Sequence, residues 1–114
     1  MPEPMDNAKR QRRRSLPKGG HVAKVPQMVN VLGLAYEVAR EDLDDENGFI
    51  DPRRQRIVIS SRISDERAEQ TFFHELLHGI FDQLGREDLY EDEQLVQTLA
   101  VGLHQSLASI TSCA

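Results

Sequence analysis

The segment that decides the fold runs from Thr71 to Gly85 and reads TFFHELLHGIFDQLG. Its apolar residues recur at the three- and four-residue spacing of a helix, over an arc wide enough to be covered on more than one side. The apolar set consists of Phe72, Phe73, Leu76, Leu77, Ile80, Phe81 and Leu84, together with Ala68 just before the segment. We therefore predict a central helix that starts at the capping residue Ser64 and ends at Gly85.

Two histidines lie four residues apart in this helix. His74 and His78 project from one face, about 6 Å apart along the axis, so both rings can reach one zinc ion at about 2.0 to 2.1 Å. Glu75 is rotated too far round to be a natural ligand, but it can take a proton from a water molecule that the metal activates. The alternative is that both histidines are ordinary helix residues, although composition predicts only about 0.01 chance occurrences of this spacing.

A catalytic zinc site needs a third protein ligand. The extended motif with a third histidine at position 84 is excluded because that residue is Leu84. We predict a second helix that opens near Asp88, with Glu91 as its capping partner, and runs to Ile110. Glu93 extends the apolar stripe of this helix and is the preferred third ligand, with Glu91 as the second choice. The alternative is that Glu93 only complements the helix dipole.

The residues before the central helix have the pattern of short strands. We predict one bent strand from Met28 to Val38 with a bulge at Gly33, then strands in GFID (Gly48 to Asp51) and RIVIS (Arg56 to Ser60). The predicted fold class is α+β, with a small antiparallel sheet of about three strands packed on the central helix and on the helix that follows it.

Charge divides the chain into two parts. Residues 1–24 contain seven Lys or Arg and two acidic residues, whereas residues 25–114 contain seven and seventeen. We interpret residues 1–26 as a basic, disordered arm and residues 27–114 as a single domain. The arm could contact nucleic acid, an acidic partner or the acidic domain itself, where it would make the protein latent. It lacks the aromatic residues that accompany basic residues in many nucleic-acid sites.

Targeting signals and disulfides are not expected. No hydrophobic stretch suits a signal peptide or a membrane span, so we expect a cytoplasmic protein without a membrane partner. The single cysteine, Cys113, cannot form an internal disulfide. We expect it to lie in a frayed terminus, and the alternative is a thiolate that binds zinc and blocks activity.

Several motifs together point to a known family. With HELLH followed by EQLVQTLAVGL, and with GLAYEV, GFID and RIVIS upstream, the chain resembles the small ImmA/IrrE-like zinc metallopeptidases of phages and prokaryotes, of the minimal gluzincin type. The resemblance implies that His74, His78 and Glu93 bind one Zn²⁺ and that Glu75 is the catalytic base. It also implies a peptide or protein substrate that pairs with an exposed strand above the cleft, for which RIVIS is the candidate.

The function that we expect is therefore zinc-dependent hydrolysis of peptide bonds. The chain has no second lobe, so activity could be weak, latent or dependent on a protein partner. Tyr90, His104 and His21 are the candidates for stabilising the oxyanion, with helix packing as the alternative role of His104. The alternative functions are a zinc-stabilised binding or regulatory module without peptidase activity, and a metal-free adaptor.

Overall fold

The computed structural model describes residues 25–113 and the side chains of residues 25–110. The strands form one four-stranded sheet, against which the first helix packs. The α+β class predicted from the sequence is confirmed. In chain order the elements are β1 (Met28–Val31), β2 (Leu34–Glu41), β3 (Gly48–Asp51), β4 (Arg56–Ser60), α1 (Asp65–Gln83), α2 (Glu87–Tyr90) and α3 (Glu93–Cys113).

Some predictions fall on residues that lie outside this description. They concern the basic arm up to Lys24, His21 within it, and the side chain of Cys113. Val25, the first residue described, packs against the apolar core beneath the sheet. None of the helices in the described part of the chain is both long and apolar enough to cross a bilayer.

The segment predicted to be one bent strand is a hairpin. β1 and β2 pair antiparallel, with Val31 opposite Leu34, so the turn contains only Leu32 and Gly33. Both turn residues have positive φ, 49° and 96°, as in the two-residue turns that match the twist of paired strands. The prediction of a bulge at Gly33 is wrong. The alternation of apolar residues shifts there because the chain reverses its direction in a turn.

The sheet is mixed and has the order β1-β2-β4-β3, which corrects the prediction of three antiparallel strands. β3 and β4 pair antiparallel, whereas β4 and β2 pair parallel, with Val38 opposite Ile57. After β2 the chain crosses to the edge of the sheet opposite β1 and forms β3 there. It then returns through β4, which lies between β2 and β3. The parallel pairing of β2 with β4 results from this crossing, which the pattern of strand residues in the sequence does not reveal.

Strand β4, the RIVIS segment, is therefore an interior strand. Its central residues Ile57, Val58 and Ile59 are fully buried, and its backbone is paired on both sides. The expectation that RIVIS pairs with a substrate is wrong. The edge strands of the sheet are β1 and β3, and both contact α1.

Helix α1 lies between two apolar cores, as its wide apolar arc predicts. On one side Phe72 packs with Val31 and Tyr36 of the sheet. On the other side Leu77 and Phe81 pack with α3. The histidine-bearing face of α1 is thereby held in place from two directions.

Both predicted ends of α1 are confirmed. The Ser64 hydroxyl oxygen accepts a hydrogen bond from the backbone amide of Arg67 at 3.1 Å, as an N-cap does. Gly85 has φ of 70°, and the next amide, of Arg86, donates to the carbonyl oxygen of Phe81 at 3.0 Å. This is the left-handed termination for which glycine is preferred.

The second predicted helix is two helices, α2 and α3. Asp92 caps α3, because its Oδ1 accepts a hydrogen bond from the backbone amide of Leu95 at 3.1 Å. The Asp88 carboxylate is not the expected cap of a long helix, since it accepts hydrogen bonds from the Arg86 guanidinium. The interruption of the helix between α2 and α3 places Glu93 in the first turn of α3, beside α1.

Gly48, the first residue of β3, permits a close approach of three elements. A Cβ atom there would lie 2.7 Å from the Val58 backbone oxygen and 2.8 Å from Cγ2 of Thr71. We expect Gly48→Ala to lower the free energy of unfolding by about 1–3 kcal/mol, measured by urea denaturation. Gly102→Ala is the control, because nothing lies within 4 Å of its Cβ position and alanine favours a helix by about 0.5–1 kcal/mol. Unchanged stability of Gly48→Ala would contradict the close approach.

Candidate metal centre

Three side chains from α1 and α3 converge on one point. His74, His78 and Glu93 each offer one donor atom, and these atoms lie within 4.8 Å of one another. His74 Nε2 lies 3.2 Å from His78 Nε2 and 3.0 Å from Glu93 Oε1, and His78 Nε2 lies 3.3 Å from Glu93 Oε2. The three residues predicted as ligands are thus brought together, two by the helical spacing in α1 and the third by the start of α3.

These separations suit a metal ion. Ligand atoms about 2.0–2.1 Å from a tetrahedral ion are about 3.3–3.4 Å apart, close to the distances between the donors here. Gln97 Oε1 can only accept a hydrogen bond, so His74 Nδ1, 2.8 Å away, donates to it. In the neutral form of this tautomer the lone pair of His74 Nε2 points towards the Glu93 carboxylate, and a cation between these two acceptors would be attracted by both. The group can therefore hold a metal ion.

Gln97 is a residue of this site that the sequence analysis missed. It lies on α3 one turn after Glu93, and its hydrogen bond fixes the ring orientation of His74, as partners of metal-binding histidines commonly do. A signal was available, because a polar residue four positions after a candidate ligand lies on the same helix face. His78 differs, since its buried Nδ1 has no hydrogen-bond partner within residues 25–110.

Glu75 lies beside this group and is 8% exposed. Burial raises the pKa of its carboxyl to about 7; the positive charge on His74 opposes this rise, and the negative charges of Glu93 and Glu46 add to it. A carboxyl group with a pKa near neutrality can both accept and release a proton at physiological pH. In the metal-free protein the position predicted for a general base therefore holds a buried carboxyl that titrates near neutral pH.

A cleft runs along β3 and over the three donors. On one side it is lined by Phe49 and Ile50 of β3 and by Tyr90 of α2. On the other side it continues into a cavity, which we call the Arg67 pocket. Gly48, His74 and Glu75 line both sides, so the two form one continuous depression. The Arg67 pocket is formed by Asn47, Arg67, Gln70, Thr71 and Gln97.

The remaining candidates lie in different places. Tyr90 is at the centre, with its ring centroid 4.9 Å from that of His78, and burial, with nearby carboxylates, raises the pKa of its hydroxyl. Glu91 is exposed at the end of α2 and is not part of the donor group. His104 is buried, lines neither side of the cleft, and bonds through Nε2 to Glu69 Oε1 at 2.8 Å. This contact between α3 and α1 favours a packing role.

Comparisons of the chain with family models, with curated proteins and with solved structures find no match. A function must therefore be inferred from the chemistry of the centre and from the motifs that surround it.

Proposed function

We propose that the protein is a zinc-dependent peptidase that resembles the ImmA/IrrE-like, minimal gluzincin enzymes. The observation that carries the proposal is the near-tetrahedral spacing of the donors of His74, His78 and Glu93, next to the buried carboxyl of Glu75. Two imidazoles and one carboxylate are a ligand set of catalytic zinc, which keeps its fourth position open for water or substrate.

The residues around the centre have distinct tasks in this reaction. Zinc supplies Lewis-acid chemistry that polarises a peptide carbonyl and makes a water molecule more acidic. Glu75 lines the cleft beside the donors, where its carboxylate can accept a proton from the attacking water and deliver it to the departing amine. Tyr90 keeps its proton at neutral pH, as a phenol normally does, and its raised pKa reinforces this, so its hydroxyl is available to donate to the negative charge that develops on the carbonyl oxygen.

Strand β3 binds the backbone of the substrate in this proposal. It is one of the two edge strands of the sheet, and its residues Phe49 and Ile50 line the cleft next to His74 and Glu75. An extended peptide can add to such an edge through backbone hydrogen bonds. The GFID segment thereby takes the role that the sequence analysis gave to RIVIS.

The test combines metal content with peptide hydrolysis. We expect the purified protein to bind about one zinc per chain and to cleave quenched fluorescent peptides. Cleavage should stop when a chelator removes the metal and return when Zn²⁺ is added. Bound zinc without cleavage would contradict the peptidase and support a zinc-stabilised binding or regulatory module. Absence of zinc would contradict both functions and leave the metal-free adaptor.

Removal of the partner of His74 should weaken the metal site. We expect Gln97→Ala to lower zinc affinity about 10- to 100-fold, because the His74 ring loses the hydrogen bond that orients Nε2. The affinity is measured by competition with a chromogenic chelator. Gln94→Ala, which alters an exposed residue of the same helix, is the matched control. Equal affinity in the two variants would show that Gln97 does not position His74.

A further inference from the structure

The Arg67 pocket has a polar wall and is large enough for one side chain. Its volume is about 220 Å³. Arg67 contributes a guanidinium, Asn47, Gln70 and Gln97 contribute amides, and Thr71 contributes a hydroxyl. Such a wall offers several hydrogen-bond donors and little apolar surface. A polar group that accepts hydrogen bonds is therefore a better occupant than an apolar side chain.

Arg67 differs from most other arginines of the described chain. Within residues 25–110 it forms no ion pair, although residues 25–114 contain seventeen acidic residues and only seven arginines. Its side chain is exposed and faces the cavity. The pairs that do form are Arg54 with Asp51, Arg56 with Glu37 and Glu41, Arg62 with Asp42 and Asp44, and Arg86 with Asp88.

An arginine without a carboxylate partner at the wall of a cavity is suited to bind a carboxylate of another molecule. The guanidinium fork matches that group in shape as well as in charge. Glu75 and the nearby Glu46 oppose an anion here. Glu46 is exposed, and solvent and salt screen its effect. A divalent ion bound by the three donors would also add positive charge near the pocket, because the carboxylate of Glu93 neutralises only one of its two charges.

The direction of β3 relates this pocket to a bound peptide. β3 runs from Gly48 to Asp51, and Asn47, which precedes it, lies in the Arg67 pocket. Antiparallel pairing is the more stable of the two arrangements per residue. A peptide that pairs antiparallel with β3 therefore passes over Glu75 and places the residue after the cleaved bond at the pocket.

We propose that the Arg67 pocket selects substrates that carry a carboxylate immediately after the cleaved bond, and that Arg67 is the residue that determines this specificity. The carboxylate can be the side chain of an aspartate or glutamate, or the free C-terminus of the peptide. This proposal rests on the proposed peptidase function, but binding to the pocket can be measured without turnover.

The experiment measures binding to the zinc-loaded Glu75→Gln protein, in which peptides remain intact. Three alanine-based peptides of equal length are titrated calorimetrically: one with an internal glutamate and an amidated end, one with glutamine in its place, and one with glutamine and a free C-terminal carboxylate. We expect at least one carboxylate peptide to bind about three- to tenfold more tightly than the glutamine amide. The first and third peptides separate the two sources of the carboxylate.

Two arginine variants complete the test. Adding Arg67→Gln should abolish the preference for carboxylate peptides. Adding Arg53→Gln should preserve it, because Arg53 is an exposed arginine in the turn between β3 and β4. Equal binding of the three peptides, or a preference that survives Arg67→Gln, would overturn the proposal whether or not the wild type cleaves peptides. Selective binding that needs Arg67, in a wild type that cleaves nothing, would support the pocket and reject the peptidase.

Discussion

The Glu75→Gln variant should bind zinc as the wild type does and hydrolyse peptides about 10² to 10⁴ times more slowly. Glutamine has nearly the same size and preserves the packing of this buried position, but its amide cannot accept the proton of the attacking water. The zinc stoichiometry and the turnover number are measured on the same preparation, so that loss of metal and loss of the base are distinguished.

A matched control for this prediction is Glu91→Gln. Glu91 is an exposed acidic residue near the centre in sequence, but it does not belong to the donor group. We expect its replacement to leave turnover close to that of the wild type. Comparable turnover in Glu75→Gln and Glu91→Gln would mean that Glu75 is not the base.

The same Glu75→Gln substitution should stabilise the metal-free protein by about 3 kcal/mol above pH 7. Folding raises the carboxyl pKa from 4.5 to about 7, so the folded state binds this proton more tightly than the unfolded state. Below pH 4.5 the carboxyl is mostly protonated in both the folded and the unfolded state, so its burial costs little stability. Between pH 4.5 and 7 the unfolded state ionises first, and stability falls by about 1.4 kcal/mol per pH unit. Glutamine removes this dependence.

Urea denaturation with a chelator at pH 4 and at pH 8 tests this expectation. The gap in unfolding free energy between Glu75→Gln and the wild type should be close to zero at the lower pH and about 3 kcal/mol at the higher one. Glu91→Gln should show no comparable gap, because the side chain is exposed. A gap of equal size at both pH values would contradict the buried, proton-binding carboxyl. The predicted gain would illustrate a common cost of catalytic residues to stability.

Local signals in the sequence predict much of α1 and its histidines. Ser64 and Gly85 mark the helix ends through chemistry that involves only neighbouring residues, and the four-residue spacing alone places His74 and His78 on one face. Glu93 was also selected correctly for the donor group, although the helix that carries it begins differently than expected. Whether Glu93 reaches His74 and His78 depends on the face of α3 on which it lies, and the apolar stripe of that helix predicts this face correctly.

Most of the failures concern contacts between segments that are separate in the sequence. A pattern of short strands does not say which strand is interior, although three successive buried residues, Ile57 to Ile59, are typical of a strand covered on both faces. The Leu32–Gly33 turn was missed because leucine is uncommon at positive φ. The hydrogen bond from His74 to Gln97 depends on how α3 packs on α1, which helical spacing within each element does not determine.

The spacing of the donor residues along the chain also bears on the rate of folding. Binding of a metal ion by His74, His78 and Glu93 closes a loop of about twenty residues, and the entropy cost of closing a loop rises only with the logarithm of its length. The strand pairings of the sheet are no more distant, because β1 with β2 and β3 with β4 are hairpins, and the parallel pairs of β2 with β4, such as Glu37 with Arg56, are nineteen residues apart. The three donors and the strand pairings therefore both arise from contacts that are local in the sequence, which favours rapid folding.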